Sequence, residues 1–202
     1  MGIDLLKRRR NLLNGFVGEK PIVLPEGYEL GSYLNITGNT RASGFSNMPF
    51  DIEIKIAPSA FNGRLFGTTS SFCLTLNSDG RAACEYTSTT GTSVSNNVMF
   101  HVGTDSVIKS HQDTTTGKAT FFVDDVDTGL KGTTGRYGGM FFANNNAGFK
   151  QYKGKVYYIK VYKDNKLFAH FVPVKSSTTS TMYDIVRKVF MSFNVKNATV
   201  VI

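Results

Sequence analysis

The sequence predicts an all-β fold, an antiparallel sandwich of short strands, on three observations. Phe50-Asp-Ile-Glu-Ile-Lys-Ile-Ala57 alternates strictly, with Phe50, Ile52, Ile54 and Ile56 on one side and Asp51, Glu53 and Lys55 on the other. A period of two is what a half-buried sheet face requires. Near the C-terminus, Tyr152–Tyr162 and Leu167–Val174 alternate on either side of a tight Lys163-Asp164-Asn165 turn. The composition agrees: 16 Phe and 9 Tyr, 20 Gly, no Trp, and only 19% charged residues. Aromatic strands separated by Gly, Asn, Ser and Thr turns fit that mixture better than helices do. A chain of 202 residues is long enough to bury one large core.

In chain order, Ile3–Asn14 reads as a short basic amphipathic segment, in which Asp4 could start a helix and Asn14-Gly15 stop it. About twelve residues are marginal as an isolated helix. Residues 1–24 are therefore expected to be a docking or oligomerisation segment with its linker. Leu5, Leu6, Leu12 and Leu13 would anchor it, and Arg8, Arg9 and Arg10 would fix its register. Pro21 and Pro25 punctuate the linker, and residues 25–202 are expected to form the β domain. Further strands are predicted at Arg64–Thr68, Ser71–Leu76, Arg81–Tyr86, Asn97–Val102, Ser106–Ser110, Ala119–Val123, Gly139–Ala143 and Met182–Val186. Thr87–Asn97, rich in Ser and Thr, reads as an exposed loop. The tail ends in Val200, Val201 and Ile202, apolar residues costly to leave in water, so it is expected to pack on this chain or on a neighbour.

The net charge of +8 is unevenly placed. Both ends are basic and the centre, residues 21–149, is slightly acidic. A nucleic-acid surface would need a dense basic face with interleaved aromatics. The C-terminal lysines read instead as the solvent side of alternating strands, so no nucleic-acid partner is expected. No secretory pattern follows the basic Met1–Leu13 stretch, and no apolar run would span a membrane. A reducing cytosol is the expected place of folding. Cys73 and Cys84 make neither a metal set nor a disulfide framework. If Asn77–Gly80 is a four-residue loop, the two thiols face each other across a hairpin.

The closing segment is the most specific: Gly154-Lys-Val-Tyr-Tyr-Ile-Lys-Val-Tyr162, a turn, Leu167-Phe-Ala-His-Phe-Val-Pro173, then Met182-Tyr-Asp184. It resembles the closing strands of LamG-like, concanavalin A-type jelly-roll domains of bacteriophage virion proteins. Pro25-Glu-Gly-Tyr28 followed by Tyr33-Leu-Asn-Ile-Thr-Gly38 resembles their opening strand more loosely. The departures are Thr181-Met182 where the family often has Gly-Leu, and a Ser/Thr run where basic residues usually follow the Pro. The resemblance implies a jelly-roll β-sandwich without enzymatic activity or cofactor. It implies a virion structural protein, a head fibre or capsid-decoration subunit made in the bacterial cytoplasm. The partners would be other virion proteins in a homo-oligomer, a trimer being one form. A lectin-like module for host glycans is the alternative.

Candidate chemistry is sparse. The glucanases of this superfamily carry three acids at alternate positions on one strand, where two perform the hydrolysis. Asp51 and Glu53 supply two, the third position is Lys55, and both acids read as solvent-facing. Asp124, Asp125 and Asp127 offer clustered oxygens that could hold Ca²⁺, although the stretch reads more simply as a turn. His101, His111 and His170 have no ligand spacing and no recognisable partner for a nucleophilic relay. Gly135–Gly139 lacks the ending of a phosphate loop. Arg136, Tyr137, Asn144 and Asn146 are the candidate glycan contacts, since amides bind hydroxyls and a ring stacks on a sugar face.

Overall fold

The structure is a computed structural model. It describes residues 21–38, 40–43, 51–68, 72–85, 92–113, 115–116, 118–133, 140–142, 151–195 and 197–202. The basic segment Ile3–Asn14, with Leu5, Leu6, Arg8, Arg9, Arg10, Leu12 and Leu13, lies outside the described residues.

The strands are β1 (Glu29–Leu30), β2 (Tyr33–Ile36), β3 (Thr40–Ser43), β4 (Asp51–Pro58), β5 (Arg64–Thr68) and β6 (Phe72–Leu76). There follow β7 (Arg81–Glu85), β8 (Thr92–Met99), β9 (Ser106–Asp113), β10 (Lys118–Val123), β11 (Val126–Thr133) and β12 (Met140–Phe141). The chain closes with β13 (Gly154–Lys163), β14 (Lys166–Lys175), β15 (Ser180–Asp184), β16 (Val189–Phe190), β17 (Ser192–Val195) and β18 (Ala198–Val201). They form two antiparallel sheets, a jelly-roll sandwich. The larger runs β11-β10-β9-β4-β13-β14-β15-β16, with β1 on β14, and β2 between β13 and β18. The smaller runs β17-β3-β12-β5-β6-β7-β8.

Alternation builds the core between them. Ile52, Ile54 and Ile56 of β4 face inward beside Ile108, Val156, Ile159 and Val161. Leu65, Phe66, Leu74, Leu76, Phe141 and Phe142 meet them from the smaller sheet. The Asp51-Glu53-Lys55 side of β4 points out, as its pattern requires. Gly154 opens β13 at φ +142°, and a Cβ there would sit 2.3 Å from the Ala57 carbonyl oxygen. That close approach and that φ both favour glycine. The Lys163–Lys166 hairpin turns through Asp164 and Asn165 at φ +50° and +60°, the primed geometry that matches strand twist.

A second apolar cluster lies on the outer face of the larger sheet. Val172, Val174 and Tyr183 are buried there beneath Leu24, Tyr28, Leu30 and Ile185. The Pro-punctuated segment thus becomes a strap, with Leu24 packed onto the sheet. Asp184, fully buried, locks this end. Its Oδ1 accepts from the backbone N–H of His170 (3.0 Å) and of Val186 (2.9 Å). Its Oδ2 accepts from Arg187 Nε, whose guanidinium lies over the rings of Phe168 and Phe171. The Tyr-Asp pair of the closing motif therefore has a structural use: Tyr183 packs under the strap and Asp184 ties three segments together.

Three readings of the sequence need correction. Thr92–Met99 is a strand, not part of a loop. Ser95 is 2% exposed, and its hydroxyl donates to the Thr128 carbonyl at 2.6 Å, which joins β8 to β11. Val126–Thr133 is also a strand, which Asp127, Gly129 and Lys131 disguised in the sequence. The β6–β7 loop has three residues between Asn77 and Arg81, closed by Asn77 N–H on the Arg81 carbonyl at 2.8 Å. That moves the register by one: Cys84 lies opposite Leu74, and Cys73 opposite Glu85. A shift of one ends the expected facing of the two cysteines; Cys84 is buried in the core. The tail packs on this chain, as expected, in strands of its own. Val189–Phe190 and Ser192–Val195 pair with β15 and β3. Ala198–Val201 pairs with β2, burying Val200.

Candidate functional site

Beyond the strap, the outer face of the larger sheet is open, and its outward positions carry tyrosine, lysine and carboxylate. A β-bulge prepares it. β13 pairs Val156 with Ile56 and Tyr158 with Lys55, which leaves Tyr157 as an extra residue. Such bulges re-aim side chains; here both Tyr157 and Tyr158 reach the outer side. The sequence carried the signal in its core spacing, since Val156, Ile159 and Val161 step by three and then by two.

Tyr33 of β2 meets Tyr157 edge-on, with centroids 5.9 Å apart. Lys155 Nζ stands 4.6 Å from the Tyr33 centroid, and Lys55 Nζ 4.9 Å from that of Tyr157. The Tyr157 hydroxyl donates to Asp105 Oδ1 at 2.7 Å, and Lys55 pairs with Asp105 Oδ2 at 2.9 Å. Partial burial and then the Asp105 carboxylate push the Tyr157 phenol up to about 12. Burial alone would raise Asp105, but hydrogen bonds from Tyr157 and Lys55 outweigh it and hold this carboxyl below its ordinary value.

Further along, Lys160 Nζ lies 4.9 Å from the Tyr158 centroid and 3.4 Å from Glu53 Oε1. His170 of β14 packs edge-on against Tyr158. Burial first, then a hydrogen bond to Glu53, pushes the Tyr158 phenol well up. His111 Nδ1 lies 3.0 Å from Asp51 Oδ2, while Asp51 Oδ1 accepts the Gln112 N–H at 2.6 Å. The two residues are 60 positions apart, so sequence order gave no hint of the pair. Cation–π contacts of this kind contribute about 0.5–1 kcal/mol at exposed sites. A ring face holds an ammonium without taking up its N–H donors, and those of Lys55 and Lys160 are aimed at Asp105 and Glu53.

Asp124 and Asp125 form the β10–β11 turn at φ +49° and +64°. Asp124 Oδ1 accepts the Val107 N–H at 2.7 Å. Asp125 pairs with Lys109 at 2.6 Å, and that hydrogen bond raises the Lys109 ammonium. Asp127 accepts the Gly129 N–H at 2.8 Å. Each carboxylate is thus engaged by a different partner. Among the described residues no three His, Cys, Asp or Glu side chains converge to hold a metal ion. Arg136, Tyr137, Asn144 and Asn146 lie outside the described residues. Tyr33, Tyr157 and Tyr158 were not singled out by sequence reasoning.

No family profile matches this chain, and no curated protein matches it. Solved structures do. The fold is similar to that of a candidate carbohydrate-binding protein from Bacteroides ovatus, with a TM-score of 0.56 and 14% identity, over 86% of this chain and 61% of that one. This chain therefore spans about three fifths of that protein. A heptameric SAP-like pentraxin from Limulus polyphemus superposes with a TM-score of 0.43 and 13% identity, over 67% of this chain and 76% of that one. At 14% identity the first likeness is one of fold, an antiparallel jelly-roll sandwich.

Proposed function

We propose that the chain is a non-enzymatic carbohydrate-binding module whose ligand lies along β13 on the open face of the larger sheet. The observation that carries this reading is the bulge-built array of Tyr33, Tyr157 and Tyr158, interleaved with Lys55, Lys155, Lys160, Glu53 and Asp105. Strands hold side chains about 4.8 Å apart across the sheet and about 6.6 Å apart along it, a grid of donors and acceptors suited to the hydroxyls of an extended sugar chain. Groups fixed before binding lose less entropy when the ligand arrives. The fold likeness to a candidate carbohydrate-binding protein is consistent with it. The test is a glycan array followed by titration of the best ligand. Tyr157→Ala should weaken binding about tenfold, while Asn144→Ala should leave it within about twofold. The reverse ranking would move the site to the segment bearing Asn144.

A second reading sets this module on a bacteriophage virion, as a head fibre or capsid-decoration subunit in a homo-oligomer docked through residues 1–24. It rests on the resemblance of Gly154–Asp184 to the closing strands of that family, and is compatible with glycan binding. The mass in solution of the full chain beside a variant lacking residues 1–24 tests it. A multimer that falls to a folded monomer on truncation supports the docking segment; a monomer in both cases removes it.

A further inference from the structure

The open face is not electrically uniform. Three carboxylates are paired with a lysine: Glu53 with Lys160, Asp125 with Lys109, and Asp105 with Lys55; Asp51 lies against the His111 ring nitrogen, and Asp113 accepts from Thr115 and Thr116. Asp105 also takes the Tyr157 hydroxyl, and Lys155 reaches it only as a more distant charge that helps to lower its carboxyl. Lys155 differs. It is exposed, its ammonium rests on the Tyr33 ring, and among the described residues no carboxylate lies within ion-pair reach of it. Its cross-strand neighbour on β2 is Asn35, and Asn35 in turn stands across from Thr199 of β18. Tyr33 and Asn35 share the outward side of β2, whose alternate residues Leu34 and Ile36 are buried. Among the described residues the Asn35 amide has no side-chain partner. A cation without an ion-pair partner thus stands beside an amide and an aromatic pair, on strands that hold all of them in place.

We infer that the ligand of this face is an acidic glycan, and that an anionic group on one of its sugars docks on Lys155, with Asn35 taking a neighbouring hydroxyl and Tyr33 flanking the ring. This rests on the carbohydrate-binding reading above and names the ligand class for the same face. The shared chemistry is a single negative charge on a sugar, carried either by a uronate carboxylate or by a sulfate ester. A charge-assisted hydrogen bond to an ammonium is stronger than a neutral one, and the attraction should weaken with salt.

The experiment is calorimetric titration with oligogalacturonate, sulfated dextran and neutral dextran, at low and high salt. Wild type should bind at least one acidic glycan more tightly than neutral dextran, and which of the two it prefers separates carboxylate from sulfate. Lys155→Gln should weaken the acidic ligand about five- to tenfold with an unchanged melting temperature, and Lys155→Arg should restore most of it. Lys175→Gln, an exposed lysine of β14 beside the strap, serves as control. Equal losses in Lys155→Gln and Lys175→Gln would mean non-specific attraction to a basic protein and would overturn the inference. No loss in Lys155→Gln would overturn it too. Preference for neutral dextran would overturn it while leaving the carbohydrate-binding reading intact; no binding of any glycan would sink both.

Discussion

One outer sheet face is closed at one end and open at the other, and β14 runs through both. At its open part, His170 lies across from Lys160 and packs on Tyr158. Two and four residues on, Val172 and Val174 occupy the same side but are buried under Leu24, Tyr28 and Leu30. The change is written in the strand: alternation holds as far as His170, and Phe171-Val-Pro-Val174 is a continuous buried run. Removing one such side chain from water stabilises by about 1.5–3 kcal/mol, so the strap is held by ordinary burial. The open end has no such cover, and most of its outward residues engage one another through ion pairs and ring contacts. A break in alternation therefore marks where a face acquires a lid, and continued alternation marks where it stays available.

The sharpest way to break the comparison is to place a charge at each end. Val174→Asp should destabilise by about 4 kcal/mol or more, since it buries an unpaired carboxylate under the strap. Lys155→Asp should change stability by no more than about 0.5 kcal/mol. Denaturant melts of both variants read this directly, and similar losses would mean that the two ends are covered alike. Next in size is Asp184→Ala. It leaves the His170 and Val186 amides and Arg187 without their shared acceptor, at about 3 kcal/mol, or a fall of roughly 6–12 °C in melting temperature.

A smaller effect separates the ends by pH. The Tyr157 phenol is raised to about 12 from an ordinary 10. The folded protein holds that proton more tightly than the unfolded chain does, so its contribution is complete below pH 10 and is lost as pH rises towards 12. Wild type should lose melting temperature across that window, and Tyr157→Phe should lose less of it. A variant as steep as wild type would exclude Tyr157 as a source. The smallest expected effect is salt: the ion pairs of the open end are exposed enough that high ionic strength should shift melting by only a degree or two.

Much of this was legible in the sequence. The β4 alternation, the Asp164-Asn165 turn and the closing motif are local patterns, and local patterns fix strands and turns. The open face was harder, because its geometry depends on a bulge that breaks alternation by one residue. Two adjacent tyrosines look like one buried and one exposed until the step from Val156 to Ile159 is counted as three. β11 was hidden because its outward residues are Asp127, Gly129 and Lys131, while Thr128, 1% exposed, serves as an inward residue. The Asn77–Arg81 loop was read one residue too long, enough to turn Cys73 and Cys84 into apparent partners. Asp51 with His111, and Tyr157 with Asp105, are tertiary pairs that no spacing rule reaches.

The pairing of β4 with β13 bears on how the protein is made. Ile54 meets Ile159, 105 positions later in the chain. Closing so long a loop is slow for the chain to achieve, and a ribosome needs roughly 5–20 s to supply the intervening residues. For about the first half of that interval the Ile52-Ile54-Ile56 ridge lacks both of its neighbours, and once β9 has been made the other edge still waits for β13. Yield during synthesis should therefore depend on chaperone supply and on temperature more steeply than the stability of the finished sandwich does.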